Sequence, residues 1–202
     1  MGVEPTVRHN GVVNHQKPGT IHRGGGTFLK TQVTIRPPTL RDWPAFQAAV
    51  RRSRRLHHPW VSPPDTREKF AAYVKRMISD SHRGFLVVLH PSGDLVGAIH
   101  LNNIIRGPLR GAFLGYYAFA GHAGKGLMRE GMRLVLQRAF QKLKLHRLEA
   151  NIQPGNRASL RLARSCGLVR EGYSRRYLKV GGRWKDHERW AILAEDLPCA
   201  LA

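Results

Sequence analysis

A chain of 202 residues is the right length for one domain with its own core, and a hydrophobic share of 42% agrees with a globular protein. Its 34 Lys and Arg against 13 Asp and Glu give a formal charge of +21, a surface that attracts polyanions such as coenzyme A, ribosomal RNA or an acidic substrate without selecting among them. No apolar run approaches the roughly 18 residues of a membrane span, and no apolar core of a secretory signal is present, so the expected compartment is the cytoplasm. Cys166 and Cys199 are too few for a disulfide framework and lack paired zinc spacing, so no metal site is expected.

Residues 1–31 carry Gly24-Gly25-Gly26, scattered positive charge and little apolar periodicity. They are expected to form a tail without structure, leaving 32–202 as the folded domain. Val33-Thr34-Ile35-Arg36 alternates as a strand that Pro37-Pro38 ends. Thr39 then caps a helix bearing Trp43, Phe46 and Val50, with Asp42 at its positive end and a stop before His57-His58-Pro59-Trp60. A second helix is expected from Thr66 to Ser79, with Phe70, Tyr73, Val74, Met77 and Ile78 on its apolar face. Phe85 to His90 and Leu95 to Ile105 read as a hairpin turning through Pro91-Ser92-Gly93-Asp94, and Gly111 to Phe119 supplies the next strand.

Gly121-His122-Ala123-Gly124-Lys125-Gly126 follows that strand and opens the clearest helical pattern, from Leu127 through Leu134, Val135, Leu136, Ala139, Phe140 and Leu143. Strand, glycine turn and helix N-terminus stand in the order of an anion cradle, where backbone N–H groups meet a phosphate. A P-loop is excluded because Gly124-Lys125 is followed by Gly126 rather than Ser or Thr, and a dinucleotide fingerprint because Arg129 stands where its third glycine belongs. By itself such a turn is more often a tight bend. Its weight comes from the residues C-terminal to that helix: the alternating strand around Leu148, Ala150 and Ile152, then Gln153 to Ser159 leading into a helix from Leu160 to Ser165 that Gly167 stops. Glu171 to Lys179 and Arg183 to Leu193 alternate around Gly181-Gly182 as a closing hairpin.

Taken together, Leu114-Gly115-Tyr116-Tyr117, Gly124-Lys125-Gly126-Leu127-Met128, His146-Arg147, Asn156-x-x-Ser159, Arg164-x-x-Gly167-Leu168 and Glu171-Gly172 resemble the GNAT superfamily of acetyl-CoA-dependent N-acetyltransferases. Asn103 to Gly107 and Gly182 to His187 make the chain most similar to the RimJ type, which acetylates the N-terminal alanine of a ribosomal protein. The likeness runs from Thr34 to Leu197. It implies an α+β fold, an α/β/α sandwich whose mixed, mostly antiparallel sheet has about seven strands flanked by about four helices. It also implies acetyl-CoA as co-substrate, its pantetheine arm along the backbone of Tyr117, Ala118 and Phe119 and its phosphates on His122, Ala123, Gly124, Lys125, Gly126 and Leu127. Gly121 replaces the family's Gln or Arg, which leaves His122 or Lys125 to add a side-chain contact to the pyrophosphate.

Acetyl transfer to an amine needs a neutral nucleophile and a protonated thiol leaving group. By the resemblance, Ser159 protonates the thiolate and Asn156 bonds the pantetheine; as residue types, both are also strong helix caps. Among bases, His100 on a strand beside the cleft leads, with Glu171, Tyr116 and the His187 region in reserve. Trp60, Asn102, Asn103 and Tyr116 are expected to line the acceptor site. An α-amino group at a pKa of about 7.7 to 8.0 needs only a weak base, whereas lysine at about 10.4 needs a stronger one than is evident, which favours N-terminal amines. The expected activity is acetylation of a ribosomal protein's N-terminal alanine by direct transfer in a ternary complex, by a monomer or homodimer, with ribosome or rRNA contact through the basic surface. Two alternatives stay open: a small-amine or antibiotic acetyltransferase, and a non-catalytic ribosome-binding assembly factor.

Overall fold

The strands β1 (Val33–Arg36), β2 (Arg83–Leu89), β3 (Leu95–Ile105), β4 (Gly111–Ala118), β5 (Arg147–Ile152), β6 (Val169–Val180) and β7 (Arg183–Leu193) form one seven-stranded sheet in the order β1-β2-β3-β4-β5-β7-β6. This is a computed structural model, and it describes residues 31–197. The expected tail therefore lies outside the described residues apart from Thr31, as does Cys199. Neighbouring strands are antiparallel except β4 and β5. The sheet is thus mixed and mostly antiparallel, as the resemblance implies.

Successive side chains on a strand face opposite sides, and β2 shows how both sides are filled. Phe85 and Val87 enter one core with Met132, Val135 and Leu136 of the helix α4 (Leu127–Gln137). Leu86 and Val88 enter another with Phe46 of α1 (Trp43–Arg52) and Phe70 of α3 (Arg67–Met77). Helices on both faces explain why β2 and β3 read as near-continuous apolar runs. Close approach is built in at Gly131, where a Cβ would stand 2.7 Å from Val87.

Among the described residues five α-helices appear where about four were expected, because the first one divides. Ser53 turns its hydroxyl back onto the Ala49 carbonyl at 2.6 Å, and α2 (Arg54–His57) begins directly after it. Two further boundaries shift. α3 ends at Met77, so Ile78 lies beyond the last turn and is 60% exposed instead of completing the apolar face. α5 (Arg157–Ser165) starts three residues ahead of Leu160, since the Asn156 side chain accepts the Ser159 N–H at 3.1 Å and caps the helix there. Its end is as the sequence indicates: Gly167 takes φ +90° and the Leu168 N–H returns to the Ala163 carbonyl.

The entrance to α1 is fixed by one buried carboxylate. Asp42 accepts from both guanidinium nitrogens of Arg36, at 2.9 and 2.6 Å, and from the N–H and hydroxyl of Thr39 at 2.7 and 3.0 Å. Burial alone would raise its pKa, but these bonds outweigh burial and hold it below the ordinary value. A depressed pKa contributes stability that is present above the unfolded value near 3.9 and is lost as the pH falls below it. Asp42→Asn is therefore expected to lower unfolding free energy by about 2 kcal/mol at pH 7. Urea melts at pH 7 and pH 3 check this, the gap between variant and parent shrinking at the lower pH.

Candidate active site

Pairing between β4 and β5 runs only from Gly111 opposite Arg147 to Phe113 opposite Glu149. From Leu114 onward the two strands part, and a cleft of about 690 Å³ opens between them. Its floor holds Tyr116, Tyr117 and Ala118 of β4 against Ala150, Asn151 and Ile152 of β5. The exit of β4 is pinned from the helix side. His57 Nε2 lies 2.8 Å from the Ala118 carbonyl, and the Ser53 hydroxyl accepts the Ala120 N–H at 2.8 Å. Because a carbonyl only accepts, the proton sits on Nε2 of His57. Burial lowers the pKa of this histidine, with the Ala118 bond opposing, so the imidazole stays neutral.

Beyond β4 the chain enters the glycine loop. Gly121, Gly124 and Gly126 take φ of +91°, +79° and +80°, backbone that other residues adopt only with strain, and no atom lies within 4 Å of where a Cβ would stand. The loop is thus open on the cleft side and leads into the N-terminus of α4, whose Arg129 and Glu130 N–H groups fold back onto the Gly126 carbonyl. The first-turn amides left over are the donors of an anion cradle. His122, Arg129 and Arg161 join the cleft wall here, and Lys125 is exposed outside it.

The third wall is the start of α5. With Asn156 engaged as the cap, the Ser159 hydroxyl donates to Tyr116 Oη at 2.8 Å, and Tyr116 Oη donates to the Ser159 carbonyl at 3.2 Å. Burial pushes the Tyr116 phenol up to about 12, so it keeps its proton at neutral pH. Trp60 reaches across the mouth: a Cβ on Gly155 would stand 3.1 Å from its ring. On the far side His187 is buried, its Nδ1 lies 2.9 Å from the Lys185 carbonyl, and Nε2 makes no hydrogen bond among the described residues. Donation from Nδ1 leaves Nε2 as the acceptor.

The structure gathers Trp60, Tyr116, Tyr117, Ala118, His122, Ala123, Gly124, Gly126, Asn156 and Ser159 at this cleft. Other expected residues stand elsewhere. Phe119 is fully buried with its N–H on the Val96 carbonyl, and Leu127 keeps its side chain in the core of α4, leaving only its backbone at the loop. Asn102 and Asn103 sit at the β3 bulge, where Asn103 takes φ +50°, and neither lines the cleft. His100 is turned into the helix-side core, its Nε2 3.0 Å from Tyr73 Oη, and burial, then the charges of Arg76 and His82, pull its pKa to about 3. Glu171 is exposed and paired with Arg147.

Sequence reasoning missed the Ser53 and His57 clamp, although a spacing of four on one helical face was its available signal. It also missed Asn151. The Oδ1 atom of that residue is buried in the cleft wall with no hydrogen-bond partner among the described residues, an acceptor suited to an N–H such as those of a pantetheine arm. With the open glycine cradle and the flanking Arg129 and Arg161, the cleft fits coenzyme A.

The family profile described as an acetyltransferase (GNAT) domain matches residues 32–169. The chain belongs to the GNAT acetyltransferase family. It is an N-acetyltransferase, and GNAT acetyltransferases use acetyl-CoA. The probable N-acetyltransferase YjcK of Bacillus subtilis (strain 168) is 40% identical over 130 residues, which cover 64% of this chain and 72% of that protein. The ribosomal protein uS5-alanine N-acetyltransferase of Escherichia coli (strain K12) is 32% identical over 103 residues, 51% of this chain and 53% of that protein. Mycobacterium smegmatis RimJ, solved in complex with CoA-disulfide, superposes with a TM-score of 0.75 at 28% identity over 82% of this chain and 84% of that one.

The buried histidines give this GNAT domain a defined acid response. A folded-state pKa held below the ordinary 6.5 contributes stability that is complete above 6.5 and is lost as the pH falls, for His100 across the range down to about 3. Chemical melts between pH 7 and pH 4 are expected to show stability falling with pH, and His100→Gln, which removes the titrating ring, is expected to flatten that slope.

Proposed function

We propose that this GNAT enzyme acetylates the α-amino group of a protein N-terminus, with an N-terminal alanine of a ribosomal protein as acceptor, by direct transfer in a ternary complex in the cytoplasm. Acetyl-CoA supplies the activated acetyl group as a thioester. The observation that carries the reading is the pair of hydroxyls, Ser159 bonded to Tyr116, set at the cleft where β4 and β5 part. The similarity to the uS5-alanine acetyltransferase supports the choice of acceptor.

The cofactor side is held by backbone. Amides of the Gly124 to Leu127 turn would hold the pyrophosphate, Arg129, Arg161 and His122 would add charge or hydrogen bonds beside it, and Asn151 Oδ1 would accept an N–H of the pantetheine arm. The proton steps fall to three side chains. His187 Nε2, directly or through one water, accepts the proton that the amine loses on forming its bond to the acetyl carbon. Ser159 donates its hydroxyl proton to the departing thiolate, Tyr116 turns its O–H from the Ser159 carbonyl to hydrogen-bond the Ser159 Oγ that is left, and solvent returns a proton to Ser159 and takes the one held by His187. The high pKa of Tyr116 suits this duty, since the phenol supports the Ser159 oxygen by a hydrogen bond and keeps its own proton. His187 is held below its ordinary value by burial, with the Lys185 bond and the Asp186 charge opposing. Such a base matches an α-amino group at about 7.7 to 8.0 better than a lysine at about 10.4.

Ribosomes or peptides bearing the N-termini of ribosomal proteins, incubated with the enzyme and isotopically labelled acetyl-CoA, are expected to take label on one N-terminal alanine, read by intact mass and peptide mapping. Label on lysine side chains, or on small amines only, contradicts the reading. Ser159→Ala and Tyr116→Phe are each expected to lower kcat by about 10²-fold while the KM for acetyl-CoA changes little. The kcat/KM profile is expected to fall below about pH 8 as the acceptor amine protonates and to steepen below pH 6.5 as His187 protonates, the steeper part being lost in His187→Gln while the amine limb remains.

A further inference from the structure

A second cavity of about 570 Å³ adjoins the cleft, and His57, Val61 and Val180 line both. One wall is the end of α1 with α2, the opposite wall is the β6–β7 turn, and the 58–65 loop closes the side. Among the described residues its charged lining is one-sided: Arg51, Arg54, Arg183 and Lys185 face it, with Asp65 the one carboxylate. Asp65 is already committed to Lys69 at 2.7 Å. None of the four cations forms a salt bridge among the described residues.

The placement follows from element geometry on both walls. Arg51 and Arg54 are three apart across the α1–α2 junction, and so share a helical face. Arg183 and Lys185 are two apart on β7, and so share a face of the strand. Like charges brought together on each wall repel and cost stability, and an anion between the walls relieves both at once. Arginine at three of the four positions presents planar donors that match a carboxylate with two parallel hydrogen bonds.

We infer that this cavity receives the part of the acceptor that follows its amine, and that it selects peptide N-termini carrying Asp or Glu in the first few residues while rejecting polyamines. The inference rests on the reading of the adjoining cleft as the site of transfer to an N-terminal amine. A peptide whose amine lies in the cleft extends past His57, Val61 and Val180 into a cavity of positive potential. Its side-chain carboxylates meet the arginines there, and lysine side chains or a second amine meet repulsion.

Three peptides alike except at positions 2 and 3, Ala-Glu-Glu, Ala-Gln-Gln and Ala-Lys-Lys, test this together with spermidine. The kcat/KM is expected to fall by about tenfold at each step from the acidic to the neutral to the basic peptide, chiefly through KM, and the spread to narrow in high salt. Arg54→Glu combined with Arg183→Glu, both at exposed positions, is expected to reverse the order. Calorimetry of the same peptides with the CoA-loaded protein gives the ranking independently of turnover. Equal values for the three peptides, or a preference that survives in the double variant, overturn the charge selection and leave the N-terminal reading standing. Turnover of spermidine in preference to all three peptides overturns both.

Discussion

The parting of β4 from β5 is the constraint on which the rest of this molecule depends. A sheet interior normally pairs every backbone group, yet here the single parallel register stops after Phe113 and leaves two strand edges facing each other across open space. β4 stays paired with β3 as far as Ala118, and its exit is secured by two side chains one helical turn apart, Ser53 accepting the Ala120 N–H and His57 donating to the Ala118 carbonyl. Behind them the His57 ring meets Tyr117 edge to face and Phe119 at a tilt, and Phe119 packs edge to face on both Tyr117 and Phe46, so the clamp rests on the helix-side core. The gap between the strands is thus a built feature of the sheet.

Each functional group takes its position from that gap. β4 delivers Tyr116 to the floor and then, through the glycine loop, the N-terminus of α4 to one end. β5 delivers Asn151 along the opposite edge and, through the Asn156 cap, Ser159 to the point where its hydroxyl meets Tyr116. The capping role of Asn156 and a role for Ser159 in chemistry are complementary, since the cap uses the Ser159 N–H and leaves its hydroxyl free. The β6–β7 hairpin then carries His187 to the cleft and Arg183 and Lys185 to the adjoining basic cavity. Charge is consistent across these parts, positive where a pyrophosphate would lie and positive again where an acceptor's carboxylates would lie.

Much of this is legible in the sequence alone, wherever a feature depends on local periodicity or on backbone conformation. The alternation of Leu148, Ala150 and Ile152, the glycines at 121, 124, 126 and 167, and the Gly181-Gly182 turn each state their own geometry. Features that depend on which residues meet across the fold are not legible there. His57 reads only as the point where the first helix stops until the Ala118 carbonyl is placed beside it, and His100 reads as a cleft histidine until Tyr73 claims its ring. Asn151 is one polar residue in an alternating strand, and only the departure of β4 leaves its Oδ1 without a partner. The break at Ser53 carries no Gly or Pro, so nothing local announces that one helix becomes two.

The measurement that bears most directly on this account is a titration of the isotope-labelled protein with CoA, followed by backbone amide chemical shifts. The account predicts the largest shifts at Gly124, Gly126 and Leu127 and along the facing edges of Tyr116 to Ala118 and Asn151 to Gln153, with slow exchange at those amides once CoA is bound. Shifts concentrated on the basic cavity or on the outer face of β6, with the glycine loop and the separated strand edges unmoved, would contradict it.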